Sequence, residues 1–323
     1  MSYGIAAGCL YWVFHDVPAR EVVGSVEGVN WWWLLPAVVL DLLVYACAAW
    51  EWKLLLRPVG KLSFGRTAQA LFAGRFANDV LPVHAGYIIR VYLASRWMGT
   101  DIPAVLPSLL IERLFDALWL ALSLGLTILF FPLPAGLART GEALGGAIVT
   151  GVVVVGWVIL RPKRSGHAGQ GPRFLGCKVA RKAWLFVAGL VQGVRSIGRS
   201  GIVFAALGLS MLKLLIQCLA FVSLLEAYHL SFSVRATLAV FVITYVGISM
   251  PSTPASVGVF QLFCAAGLRF FGVPEATASG FALLAFVVLT APLATAGFLA
   301  VSRTGLTLGQ IRRQTREWKR PAR

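Results

Sequence analysis

The sequence predicts an all-α, polytopic integral membrane protein, and three observations predict it. Of 323 residues, 58% are apolar and only 13% charged, about half the charge that soluble domains carry. The apolar residues run in blocks: residues 143–160, 236–268 and 276–302 contain no charge. A bilayer core of about 30 Å takes about 20 helical residues to cross, so these blocks match membrane spans. Third, two long apolar segments are broken near their middles by proline, as expected of helices that enter a bilayer and turn back. Together these predict about six to eight helices, two re-entrant hairpins among them, in one transmembrane domain covering 1–323. A water-soluble enzyme is excluded.

The elements follow in order. Met1 to Phe14 has an apolar centre with no Lys or Arg ahead of it, so a cleaved signal is not expected. Its fourteen residues reach about 21 Å as a helix, which makes it a short first helix. The stretch 15–30 holds Asp16, Glu21 and Glu27 against Arg20 and should be an outward loop. Trp31 to Leu56 opens with three tryptophans, suited to a membrane–water interface, and is the first long span. Beyond it Arg57, Lys61, Arg66 and Arg75 mark the cytoplasmic side. Residues 103–131 cross outward and 143–160 return, which completes an N-terminal half of 1–160. Residues 161–200 carry nine Lys/Arg and no acid, the pattern of a cytoplasmic loop. The C-terminal half, 201–302, crosses at 201–225 and 276–302. A basic tail, 303–323, holds Arg312, Arg313, Arg316, Lys319, Arg320 and Arg323 against Glu317.

The broken segments lie between these anchors. Residues 67–97 are interrupted at Leu81-Pro82, and residues 236–268 at Pro251-Ser252-Thr253-Pro254. Each is too long for one crossing and short for two, and each must start and finish on the same side. Pro82 is followed by Gly86 and Gly99, and Pro254 by Gly258 and Gly272 at nearly equal spacing. Such paired breaks of opposite orientation mark an inverted repeat with a site between its tips.

The formal charge of +16 is carried beside apolar spans, so it should meet anionic lipid headgroups at the basic loop and tail and not nucleic acid. Cys9, Cys47, Cys177, Cys218 and Cys264 are scattered without a CxxC pair and read as packing residues. The four histidines show no ligand spacing, so neither a metal nor a cofactor is expected.

An ionisable side chain at mid-membrane costs about 2.5–3.5 kcal/mol on insertion scales, so each needs a partner or a task. Glu112 and Asp116 share a helical face, with Arg113 three residues before Asp116. They either neutralise one another or balance Arg90 or a cationic headgroup. Arg90 is either a cytoplasm-facing anchor or a fork for a lipid phosphate, with Asn78 and His84 flanking the same break. Lys213 and Gln217 share a face, with a structural hydrogen bond as the expected role. Ser249, Ser252, Thr253, Ser256 and Gln261 either satisfy freed backbone groups or bind a headgroup. There is no phosphate loop, no Gly-x-Ser-x-Gly elbow and no His-Glu-x-x-His, so no catalytic residue is expected.

Leu54-Leu55-Leu56-Arg57-Pro58 is followed by Asn78-x-x-Leu81-Pro82-x-x-x-Gly86-x-x-x-Arg90, then Glu112-Arg113-x-x-Asp116, and later Pro254-x-x-x-Gly258-Val259-Phe260. This order resembles the transmembrane region of lysylphosphatidylglycerol synthases, the flippase-like integral membrane family, over nearly the whole chain. The resemblance implies a multi-pass protein of the bacterial inner membrane that handles lipid headgroups, in some members by flipping an aminoacylated phospholipid. The soluble aminoacyl-transferase domain of full synthases is not seen here, so synthase activity is not expected. The family usually shows Arg where His84 stands and Glu where Tyr87 and Gln261 stand, which points to a different substrate or to no transport. The expected function is a flippase or transporter of a phospholipid or lipid-linked headgroup, without enzyme activity. The alternative is a non-transporting accessory protein of lipid biosynthesis, for instance of hopanoids or glycolipids. In that case the basic loop recruits lipid-biosynthesis proteins.

Overall fold

Four stretches are long and apolar enough to cross a membrane: Trp31–Leu56, Ile102–Phe130, Ile202–Ala227 and Glu275–Thr304. The computed structural model describes residues 2–15, 18–80, 86–131, 146, 150, 197, 201–249 and 254–304, and among them no strand occurs. In chain order the α-helices are α1 (Ser2–Phe14), α2 (Ala19–Glu27), α3 (Leu34–Leu56), α4 (Phe64–Val80), α5 (Gly86–Met98) and α6 (Ile102–Phe130). They continue with α7 (Ile202–Ala227), α8 (Val234–Ser249), α9 (Val259–Phe270) and α10 (Glu275–Thr304). The all-helical class is as expected. The stretch 15–30, expected as an outward loop, instead holds α2, which packs along α10. Pro18 precedes it with φ −60, a value its ring fixes and a helix start can use.

Local chemistry explains the boundaries. Asn30 accepts the Trp32 backbone N–H through Oδ1 at 3.2 Å and caps the 3₁₀ turn Trp31–Trp33 that leads into α3. Pro103 sits in the first turn of α6, where its missing N–H would have no intrahelical partner anyway. Gly99 and Gly272 follow α5 and α9 with φ of +67 and +83, the left-handed ending that glycine adopts without steric cost. The two glycines that the sequence places in corresponding positions thus end corresponding helices in the same way.

Each broken segment is a pair of packed antiparallel helices. Near the tip of the first, the Gly86 backbone N–H donates to Asn78 Oδ1 at 2.7 Å. Deeper in, a Cβ on Gly74 would lie 2.8 Å from the Gly86 carbonyl oxygen and 3.1 Å from Arg90 Cβ, so the α4 and α5 backbones touch. In the second, Gly247 lies against the Phe263 ring, and Gly267 against Val240 and Ile243. The turn Pro254–Ser256 at its tip packs against α4 of the first hairpin, so the two broken segments meet. Helix α1 covers that turn and α9, and the Ala6 carbonyl would lie 2.6 Å from a Cβ on Gly258.

The interior is split. One apolar cluster joins α7, α8 and α10 through the edge-packed rings of Phe221, Phe241, Phe281 and Tyr228, and takes in α9 through Cys264 and Leu268. A second surrounds Trp52 and Leu56 and includes the hairpin residues Ala70, Ala73, Ile89 and Leu93. Large apolar side chains also point outward, including Trp32, Leu129 and Phe204, as lipid-facing surfaces require. The expected crossing at 143–160 falls outside the described residues except for 146 and 150. So do the basic loop 161–200, apart from Ile197, and the tail beyond Thr304.

Candidate functional site

Four helices bring charge together beside a small third apolar cluster of Leu55, Ile111 and Ala206 on α3, α6 and α7. Helix α3 supplies Glu51 and Trp52, α5 supplies Arg90, and α7 supplies Ser210 and Lys213. Helix α6 supplies Ser108, Glu112 and Asp116, spaced four apart and so on one face, with Arg113 beside them. Glu51, Glu112, Arg90 and Lys213 are all buried, Glu51 fully. In apolar spans such groups need partners, and the fold provides them.

Arg90 offers its guanidinium fork to Glu112, with Nη1 2.9 Å from Oε1 and Nη2 2.5 Å from Oε2. This two-point geometry is the strong form of the ion pair. The guanidinium also lies 3.9 Å from the centre of the Trp52 ring, a cation–π contact that gains strength away from water. Trp52 is held in turn: its indole N–H donates to Ser108 Oγ at 3.0 Å, and Ser108 donates to the Val105 carbonyl. One face of α6 thus positions both the carboxylate and the ring that confine Arg90.

Lys213 closes the other side. Its ammonium lies 2.6 Å from Glu51 Oε2 and 2.7 Å from Asp116 Oδ1, and Ser210 also donates to Asp116. Arg113 reaches Asp116 at 3.3 Å and Glu112 at 3.4 Å, and its guanidinium lies 4.8 Å from the Tyr87 ring centre. Three carboxylates, Glu51, Glu112 and Asp116, therefore face three cations, Arg90, Arg113 and Lys213. The cluster is electrically balanced, and it opens to the outside at Arg113 and Asp116, whose side chains are 46% and 32% exposed.

Of the residues singled out from sequence, the structure brings Arg90, Glu112, Arg113 and Asp116 into this cluster. Arg90 does not present a free fork for a phosphate, because Glu112 occupies both of its Nη atoms. Asn78 lies apart, stitching the first hairpin. Gln261 does the same in the second, where its Oε1 accepts the Gly258 N–H at 2.7 Å and anchors the start of α9. Gly86 and Gly258 stand at the helix starts where backbones approach closely, and Pro254 opens the turn at the second tip. Pro82, His84, Ser252 and Thr253 lie outside the described residues.

Sequence reasoning missed Glu51 and Trp52, and gave Lys213 a lesser role. Glu51 was legible as an acid inside an apolar span of 26 residues. Its partner was not, because α7 lies more than 140 residues further along the chain.

Gln261→Leu leaves the buried Gly258 N–H without an acceptor. It is expected to lower stability by about 1–3 kcal/mol, read as a lower melting temperature of the purified protein. An unchanged melting temperature would remove Gln261 from the support of the hairpin.

A family model described as the lysylphosphatidylglycerol synthase TM region matches residues 1–297. A search of curated proteins gives no match. The chain belongs to that family and is a multi-pass membrane protein tied to lipid metabolism.

Proposed function

We propose that this member of the lysylphosphatidylglycerol synthase TM-region family translocates a lipid headgroup along the balanced charge cluster. The observation that carries this reading is the cluster itself: charges of both signs, set deep in apolar spans, drawn from both halves of the chain and open at one edge. A headgroup with a phosphate can exchange onto Arg113 at that edge while Asp116 keeps Lys213 as its partner, so no buried charge is left alone. Ionisable groups set inside membrane spans are costly, pair with one another and mark substrate and ion paths.

In this reading both hairpins enter the bilayer without crossing it. The non-helical turn Pro254–Ser256 at the second tip packs on α4 and under α1, the burial in protein that irregular backbone at that depth needs. Residues 161–200 and the tail from 303 face the cytoplasm of a bacterial cell and rest on anionic headgroups. The chain moves lipid without making or breaking a covalent bond.

Purified protein in liposomes is expected to move a headgroup-labelled phospholipid between leaflets. Arg113→Gln is expected to slow that movement about tenfold or more, the worth of one charge-assisted hydrogen bond. Arg113 is half-exposed, so the variant should fold. Equal rates for the parent, Arg113→Gln and Asp116→Asn would remove the cluster as the path.

A second reading is favoured by the self-neutralisation of the deep charges, and by Tyr87 and Gln261 standing where the family usually shows Glu. It makes the protein a non-transporting accessory of lipid biosynthesis that recruits partner proteins through its basic loop. Absent translocation, together with a lipid-biosynthesis protein that co-purifies only while residues 161–200 are intact, would select it.

A further inference from the structure

A second group of charges lies on the α3–α4 interface, outside the balanced cluster, and it is not balanced. Asp41 on α3 is buried at 7% exposure. Among the described residues it makes no hydrogen bond and no ion pair, and Arg75 is the charged group within its electrostatic reach. Asp79 on α4 has a side chain only 10% exposed, and Arg75, one turn earlier, is its ion-pair partner. That contact is long, at 3.4 Å from Arg75 Nε to Asp79 Oδ1, beyond an ordinary N–H···O hydrogen bond. Both Asp79 oxygens and Arg75 Nε are buried without a hydrogen-bond partner among the described residues. Two carboxylates thus lie around one cation, whose own side chain is 36% exposed, which leaves one negative charge uncompensated among the described residues.

Among the described residues the surroundings do not supply the missing positive charge; His84, the next titratable residue along the chain from Asp79, lies outside them. Helix α3 adds Tyr45, stacked on Phe72 of α4 at 5.8 Å between ring centres, and α5 adds Tyr87 within electrostatic reach of Arg75. Helix α8 adds Tyr245, within electrostatic reach of Asp41, Tyr45 and Arg75 and of Cys218 on α7. Helix α10, which packs along α4, has no titratable side chain between Glu275 and Arg303. Phenols and a thiol donate hydrogen bonds but carry no positive charge. An isolated carboxylate in such a place neutralises itself sooner than it stays charged.

We propose that Asp41, Arg75 and Asp79 form a proton-binding site, in which one proton bound to either carboxylate brings the group to zero net charge. Binding converts one carboxylate to the neutral acid and release restores the anion, so the step needs no other reactant. The site lies on the hairpin helix that touches the second hairpin's tip. On the translocation reading given above, proton uptake there sets the charge of the wall past which the headgroup moves, and so makes the proton the coupling ion. The site itself does not depend on that reading.

Infrared spectroscopy of the purified full-length protein in lipid nanodiscs tests this directly, with no transported lipid required. The parent is expected to show the carbonyl band of a protonated carboxylic acid at neutral pH, shifted in heavy water. Asp41→Asn or Asp79→Asn, each close to isosteric, is expected to abolish it in protein that remains monodisperse. Absence of the band in the parent, or its persistence in both variants, would overturn the proposal. Its loss on adding sodium chloride at fixed pH would also do so, since that assigns the site to a metal cation. A protein that shows the band but moves no lipid keeps the proton site and loses only the translocation reading.

Discussion

Glu112→Ala is expected to leave little folded protein. The substitution strands Arg90 at 4% exposure, facing Trp52 with no carboxylate. Removing one partner of a buried ion pair costs about 3–5 kcal/mol, against a total stability of about 5–15 kcal/mol. With Arg90 as a free fork for a lipid phosphate, alanine at Arg90 or Glu112 would probe headgroup binding; the two-point ion pair makes both changes probes of folding. Replacing the pair together, Arg90→Met with Glu112→Leu, leaves no charge behind and is expected to be far milder than either single change, because apolar replacements of a buried pair are often neutral in stability. The measurement is a double-mutant cycle on melting temperature and on the monodisperse fraction after purification. A Glu112→Ala protein that melts with the parent would mean that water reaches Arg90, and that the cluster is not dry.

Gly86→Ala is the second large effect. Its new Cβ would fall onto the Gly74 carbonyl and within 2.6 Å of Asn78 Oδ1, and a backbone carbonyl in a helix cannot swing aside. Overpacking a tight contact costs about 1–3 kcal/mol and occasionally more. Here the obstacle is main chain, so the upper end or beyond is expected, together with loss of the Asn78–Gly86 hydrogen bond. Gly125→Ala is the control. Nothing lies within 4 Å of a Cβ there, and the gain in helix propensity is up to about 1 kcal/mol. Equal melting temperatures for Gly86→Ala and the parent would mean that α4 and α5 do not touch at Gly74, and the first hairpin would have to be redrawn.

The two glycines show why part of the site escaped the sequence. Gly86 and Gly258 were visible as partners of the prolines, since a break followed by glycine at fixed spacing is a local pattern. Asn78 and Gln261 were visible as polar residues beside those breaks, but not as the acceptors of the Gly86 and Gly258 N–H groups. A polar side chain near a loop reads equally as a ligand contact or as a backbone cap. Only the bond it makes separates the two.

Composition and the spacing of apolar runs were enough to determine an all-helical chain built for a bilayer, its long spans and its two interrupted segments. These follow from the insolubility of bare backbone in hydrocarbon and from the fixed rise of a helix, and both act along the chain. Which of the possible charge pairs form was decided by the tertiary structure. Glu51 faces Lys213 because α3 and α7, far apart in sequence, pack side by side, and Glu112 faces Arg90 because the consecutive helices α5 and α6 do. Among the described residues the same packing leaves Asp41, Arg75 and Asp79 one positive charge short. Pairing of charges between helices carries no periodicity to read, because it is set by how the helices pack and not by their order.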